Sequence, residues 1–168
     1  MKKILVIVAA LLCLAGCRIV KYSFTGTSID PDVHTICIPT FEYKALRVNP
    51  SLANDLSEEL RTRFRRMTSL EQVEMDGDLE ISGEISSYDV QASAVTADEV
   101  AAQNRLTVSV RVNFENVKHP EESFSSKSFS AYADYDSTNS LDAVESTLCA
   151  EIIDKIVEDI FNATVAQW

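Results

Sequence analysis

The sequence predicts an α+β two-layer sandwich, in which a mainly antiparallel sheet of about four strands carries two amphipathic helices on one face. Three observations lead there. The stretches Leu52 to Met67 and Leu141 to Ile160 repeat apolar residues at helical spacing. The stretches opening at Leu79 and Leu106 alternate apolar and polar side chains, which gives each strand one buried and one wet face. The order is strand, helix, three-strand meander, helix. Two one-sided helices and a half-wet sheet satisfy each other only when both helices cover the same sheet face.

Ahead of this body stands a different kind of segment. Lys2 and Lys3 are followed by an apolar run from Ile4 to Leu12 and by Leu14-Ala15-Gly16-Cys17. A charged start, a short apolar run and a small-residue exit are the layout of a secretory signal peptide. The run is too short to span a bilayer, which needs about 20 apolar residues. Leu14 to Cys17 resembles the lipobox of bacterial lipoproteins, so the expected signal peptide is residues 1–16. The mature chain, residues 17–168, is then acylated on Cys17. One acyl chain holds a protein marginally and two hold it stably, so the body is tethered at its N-terminus and faces water. No acidic residue stands among Arg18, Ile19, Val20, Lys21 and Tyr22, and by the same resemblance this points to the periplasmic side of an outer membrane.

The mature chain is the size of one domain with a real core. Removing the two leader lysines from 15 basic residues leaves 13 against 26 acidic ones, a formal net charge of −13. Such a surface suits neither nucleic acid nor a bare anionic membrane. With 4 glycines and 4 prolines in 168 residues, no low-complexity stretch or repeat interrupts it. Of the four cysteines, Cys13 leaves with the leader and Cys17 takes lipid. Cys37 and Cys149 could pair in an oxidising compartment or stay as free buried thiols.

Residues Arg18 to Asp32 read as a polar lead-in. Thr35 to Pro39 forms the first strand, with Ile36 and Ile38 on one face, Cys37 on the other, and Pro39 ending it. Asn49-Pro50 opens the first helix as a capping residue followed by proline. Leu52, Leu56, Leu60, Phe64 and Met67 form its apolar stripe. Asp55, Glu58 and Glu59 lie early and Arg61, Arg63, Arg65 and Arg66 late, which complements the helix dipole and allows a Glu59–Arg63 pair. Asp76-Gly77-Asp78 marks a turn. Ala92 to Asn104 reads as a long loop or short irregular helix between strands. His119-Pro120-Glu121 turns the second long strand into a third, Ser123 to Ala133, with a bulge between Phe124 and Phe129. Asn139 or Ser140 caps the last helix, which could run close to Trp168.

Catalytic signals are thin. His34 and His119 stand outside any catalytic motif, and His34 with Cys37 falls short of the four ligands of a structural metal site. There is no phosphate-binding glycine loop and no nucleophile elbow. Asp134 and Asp136 fit turn and cap duty better than acid–base work. The expectation is therefore a non-enzymatic protein without metal or cofactor. The arginine group Arg61, Arg63, Arg65 and Arg66 suits either a helix end or bidentate contact with lipid phosphates.

Taken together, the lipobox at Cys17, the segment Tyr22 to Ile29, Asn49-Pro50-Ser51-Leu52, Asn104-Arg105-Leu106-Thr107 and Tyr132-Ala133-Asp134-Tyr135-Asp136 resemble the LptE-type lipopolysaccharide-assembly lipoproteins, in the form found in Bacteroides and its relatives. The resemblance implies an outer-membrane lipoprotein that partners and plugs the LptD β-barrel, helps it assemble and contacts lipopolysaccharide. Arg105 and Arg111 are the contact candidates it suggests by position, and Arg61 and Arg65 join them from the helical arginine group. A body at −13 repels lipopolysaccharide phosphates overall, so any affinity is local or shared with the barrel. The competing expectation is an adaptor or scaffold lipoprotein for another envelope machine, such as a peptidoglycan synthase activator or a barrel-assembly accessory.

Overall fold

The computed structural model describes residues 29–93 and 102–165. The leader, Cys17, the polar lead-in before Ile29 and most of the expected loop after Ala92 lie outside the described residues. The elements run β1 (Thr35–Cys37), β2 (Glu42–Tyr43), α1 (Leu52–Met67), β3 (Glu71–Val73), β4 (Leu79–Ser93), β5 (Gln103–Asn116), a 3-10 turn (Pro120–Glu122), β6 (Phe124–Asp136) and α2 (Leu141–Thr164). The α+β two-layer sandwich is as expected, with both helices on one face, but the sheet has six strands. Its order is β3-β1-β4-β5-β6, with β2 also on β4. Only the β4-β5-β6 meander is antiparallel; β1 pairs parallel with β3 and β4, and β2 parallel with β4. The added strands β2 and β3 are too short to show a period of two, and distant partners form them.

The first strand breaks where proline predicts. β1 pairs with Leu79 and Glu80 of β4, and β2 with Glu84 and Ile85, so both halves lie along one edge of β4 with Pro39 between them. Proline has no amide for the ladder. Helix α1 supplies the missing bonds: Arg61 Nε donates to the Ile38 carbonyl at 2.8 Å, and the Phe41 amide donates to Ser57 Oγ at 3.0 Å.

Strand β3 reaches β4 through the short connection Glu74 to Asp78, which crosses β1. Asp76 there takes a positive φ of 55°, tolerable for Asp. Gly77 is buried against backbone: a Cβ on it would lie 2.7 Å from the Cys37 nitrogen and from the Leu79 oxygen. Asp78 fastens the crossing, its Oδ2 accepting the His34 amide at 2.9 Å and the Thr35 amide at 3.1 Å. The His34 amide bond leads the contributions that pull the Asp78 carboxyl down to about 2.

Helix α1 runs from Leu52, two residues past Pro50, and Asn49 makes the expected capping bonds, its Oδ1 accepting the Leu52 amide at 3.1 Å and the Ser51 amide at 3.2 Å. Its stripe of Leu52, Leu56, Leu60 and Phe64 is buried, and Met67 at the end is exposed. Helix α2 runs alongside in the same direction: Asn49 meets Glu145 near one end, and Phe64 packs edge-on against Phe161 at 5.0 Å near the other. Arg63 turns to Asp154 of α2 at 2.7 Å in place of the expected Glu59 pair. Leu148, Ile152, Ile156 and Ile160 are buried against the sheet. Each such side chain contributes about 1.5–3 kcal/mol over its exposed form. The β6 bulge is present: the register slips between Val112 and Phe114, and Ser126 has φ 54°.

Cys37 and Cys149 are both free and buried, so the considered disulfide is not formed. The Cys37 thiol donates to the Glu74 carbonyl at 3.2 Å on the crossing segment, while Cys149 lies on α2 beside Asn49 and Tyr88. Burial pushes both thiols above the usual range.

Candidate functional site

The helices leave the far face of the sheet open. On β5 the open face carries Arg105, Thr107, Ser109, Arg111 and Asn113, between Glu80, Ser82 and Glu84 on β4 and Ser128, Ser130, Tyr132 and Asp134 on β6. Strand alternation puts them there, since Leu106, Val108, Val110 and Val112 point into the core. The hydroxyls cross-link the face, as Ser109 Oγ and Ser130 Oγ do at 3.0 Å.

Arg105 and Arg111 share this face but not one site, being roughly 20 Å apart at strand rise. Arg105 makes a bidentate bond to Asp134, Nε to Oδ1 at 2.7 Å and Nη2 to Oδ2 at 2.8 Å. Its guanidinium carbon stacks 3.7 Å from the centroid of the Tyr132 ring. Hydrogen bonding to Asp134 holds Arg105 firmly cationic and keeps the Asp134 carboxyl low. The result is a flat guanidinium–phenol platform with its charge already balanced, one edge of Tyr132 open to solvent. Asp134 serves that platform, and Asp136 caps the following turn through the Thr138 amide at 2.8 Å. The two carboxylates therefore have separate structural duties.

Arg111 belongs to a second cluster. Glu84 bridges two cations, with Oε1 2.8 Å from Arg111 Nη1 and Oε2 2.7 Å from Lys44 Nζ, and Glu42 also meets Lys44 at 2.9 Å. The Lys44 bond leads in depressing the Glu84 carboxyl, and the same bond raises Lys44. These groups line an open cleft of about 360 Å³ together with Thr40, Ser82, Asn113 and Ser126. Sequence reasoning missed Lys44 and Glu84 because they meet only through the two-residue pairing of β2 with β4, which leaves no local signal.

Arg61 and Arg65 line a neighbouring cleft of about 430 Å³ on the other side of Pro39. Arg61 is committed to Ile38, Glu58 and Thr40, and Arg65 Nη2 bonds Gln72 at 3.0 Å. The fold thus brings Arg61, Arg65 and Arg111 around the strand break and leaves Arg105 apart. Between the helices runs a wider groove of about 770 Å³ with Ala150, Ile153 and Cys149 in its lining and Asp55, Glu59, Glu145 and Asp154 around them, a sign of charge that disfavours phosphate.

His34 is exposed and contributes its backbone to Asp78. His119 Nε2 lies 3.1 Å from Asp32 and 3.4 Å from Asp30, and the Asp32 bond raises its pKa. Among the described residues no group of His, Cys, Asp and Glu side chains could hold a metal ion, and no helix is long and apolar enough to cross a membrane.

The architecture has a solved counterpart. The hypothetical protein CT253 of Chlamydia trachomatis superposes with a TM-score of 0.53 at 11% identity, covering 79% of this chain and 98% of that one. A minor lipoprotein of Acinetobacter baumannii gives 0.43 at 14% identity over 76% and 89% of the two chains. An uncharacterized lipoprotein B of Nitrosomonas europaea gives 0.48 at 10% over 79% and 86%. No curated protein shows significant sequence similarity to the chain. The model of the lipopolysaccharide-assembly family LptE matches residues 33–164, from the entrance of β1 to the last turn of α2, and the chain accordingly belongs to the LptE family of lipopolysaccharide-assembly proteins.

Proposed function

We propose that this LptE-family protein is an outer-membrane lipoprotein, cut after a signal peptide of residues 1–16 and acylated on Cys17, that partners and plugs an LptD-type β-barrel and assists lipopolysaccharide transport and assembly. The observation that carries this is the family match, which spans the whole described fold. The open face adds to it: a hydroxyl-rich, charge-balanced wall suits a water-filled lumen, and the acidic groove lies on the helical side away from it. Lipopolysaccharide contact falls to Arg111, Arg61 and Arg65 around the Pro39 break and, separately, to the Arg105 platform. In each case an existing carboxylate or carbonyl must share its cation, so the contact is weak alone and gains strength inside the barrel.

Affinity purification of the full-length protein from detergent-solubilised outer membrane tests the reading. A stoichiometric large β-barrel is the expected partner. Recovery of a peptidoglycan synthase or a barrel-assembly complex instead supports the scaffold alternative and overturns this one.

A further inference from the structure

Two features meet where β2 ends. Leu46 and Val48 are exposed to 101% and 74%, whereas among the other Leu, Ile and Val side chains of the described residues only Val117 is exposed. The loop that carries them is not slack. The Tyr43 hydroxyl donates to the Arg47 carbonyl and accepts the Asn49 amide at 3.1 Å, and Asn49 is itself locked by its bonds to the start of α1 and to Glu145. The aliphatic pair is held outward, with Arg47 between its members and no carboxylate pairing that guanidinium among the described residues.

The second feature is a bare strand edge. The pairing of β2 stops at Tyr43 with Ile85, and the Lys44 amide makes a last bond to the Ile85 carbonyl at 2.9 Å. Strand β4 continues to Ser93, and on that side no strand among the described residues pairs with Ser87 to Ser93, roughly 20 Å of edge. The opposite edge of the sheet, β6, is defended: Ser126 bulges, Lys127 sits on it, and Lys155 of α2 reaches the Tyr132 carbonyl at 3.2 Å. The β4 stretch holds neither Lys nor Pro.

We infer that Leu46, Val48 and the adjoining β4 edge form the surface on which the barrel partner engages this protein, through an extended segment that pairs with Ser87–Ser93, covers the two aliphatics and brings a carboxylate to Arg47. This rests on the barrel-partner reading above. The juxtaposition selects protein over lipid: a bilayer would accept the aliphatics but leave the neighbouring backbone donors and acceptors unpaired, while a strand satisfies both. Arg47 in an otherwise acidic body supplies the charge complement.

The test uses the full-length lipidated protein in its own outer membrane. Because both side chains are exposed, Leu46→Ser with Val48→Ser leaves the unfolding temperature unchanged, while recovery of the barrel falls about ten- to hundredfold, as expected for losing burial of an aliphatic contact. The matched pair Met75→Ser with Val117→Ser, also exposed, leaves recovery intact. A photo-crosslinking side chain at position 46 or 48 joins to the barrel. Unchanged recovery with the first pair, equal loss with both pairs, or crosslinks to lipid alone overturns the inference. Failure of the unsubstituted protein to recover any barrel is read in a separate arm and overturns the partner reading itself.

Discussion

Gly77→Ala probes the least expected feature of the fold, the short crossing from β3 to β4 over β1. A Cβ there would sit 2.7 Å from the Cys37 nitrogen and the Leu79 oxygen and 3.1 Å from the Ile36 carbonyl carbon. Those neighbours are backbone, so no side chain can swing aside, and ordinary contact needs about 0.7 Å more room at each close atom. The demand is for space, since Gly77 has no left-handed φ. β1 holds β4 through just the pairs Ile36 with Leu79 and Cys37 with Glu80, so the added methyl must prise that pairing apart. Overpacking costs about 1–3 kcal/mol, and a weakened backbone bond adds about 1 kcal/mol. The sum of roughly 2–4 kcal/mol corresponds to a fall of about 5–15 °C in unfolding temperature for a domain of this size. Thermal unfolding with amide exchange of the Cys17→Ala protein reads it, and protection should drop in β1 and the start of β4 before the β5–β6 pair. A variant within about 1 °C of the parent, with β1 protection intact, would show that the crossing is not packed as described.

Asn49→Ala removes the helix cap on Leu52 and the bonds to Glu145 and Cys149 at once, and urea titration should show a loss of about 1–3 kcal/mol; an unchanged midpoint refutes the cap. His119 pairs with Asp32, Asp30 and Glu121 just ahead of β1, and the Asp32 bond raises its pKa. A raised folded pKa stabilises fully below the ordinary histidine value of about 6.5 and loses that contribution as pH rises through the folded value. The excess unfolding temperature of the parent over His119→Gln should therefore be largest near pH 6 and shrink toward pH 9, and a constant excess overturns the assignment. Cys37 and Cys149 are buried with raised pKa values, so the folded protein should react with a thiol reagent at pH 8 far more slowly than the unfolded one; loss of two hydrogen atoms in the intact mass, meaning oxidation to a disulfide, contradicts the free thiols.

The candidate site divides by how local its causes are. Arg105 and Arg111 could be placed on one wet face from the alternation of β5 alone, and Tyr132 and Asp134 from β6. That Arg105 stacks on Tyr132 while gripping Asp134, and that Arg111 shares Glu84 with Lys44, depends on strand register, which no single stretch encodes. The four arginines singled out from sequence do not assemble into one basic patch because Arg105 lies roughly 20 Å along β5 from Arg111, and Arg61 and Arg65 spend their donors on the β1–β2 break and on Gln72. The exposed pair Leu46 and Val48 carried no signal either, because a lone apolar residue beside a helix start is ordinary in any sequence.

What the sequence by itself determined is whatever follows from short-range periodicity and composition: the long meander strands, the two amphipathic helices on one face, the acidic body and the motif around Cys17. Tertiary structure alone decided the parallel half of the sheet. β1, β2 and β3 are held by residues far along the chain, by Ser57 and Arg61 at the proline break, by Asp78 at the crossing and by the space that Gly77 leaves. Segments of two or three residues bury too little to specify themselves, so their place is set by the partner edge, the helix beside them and the hydrogen bonds that would otherwise go unmade.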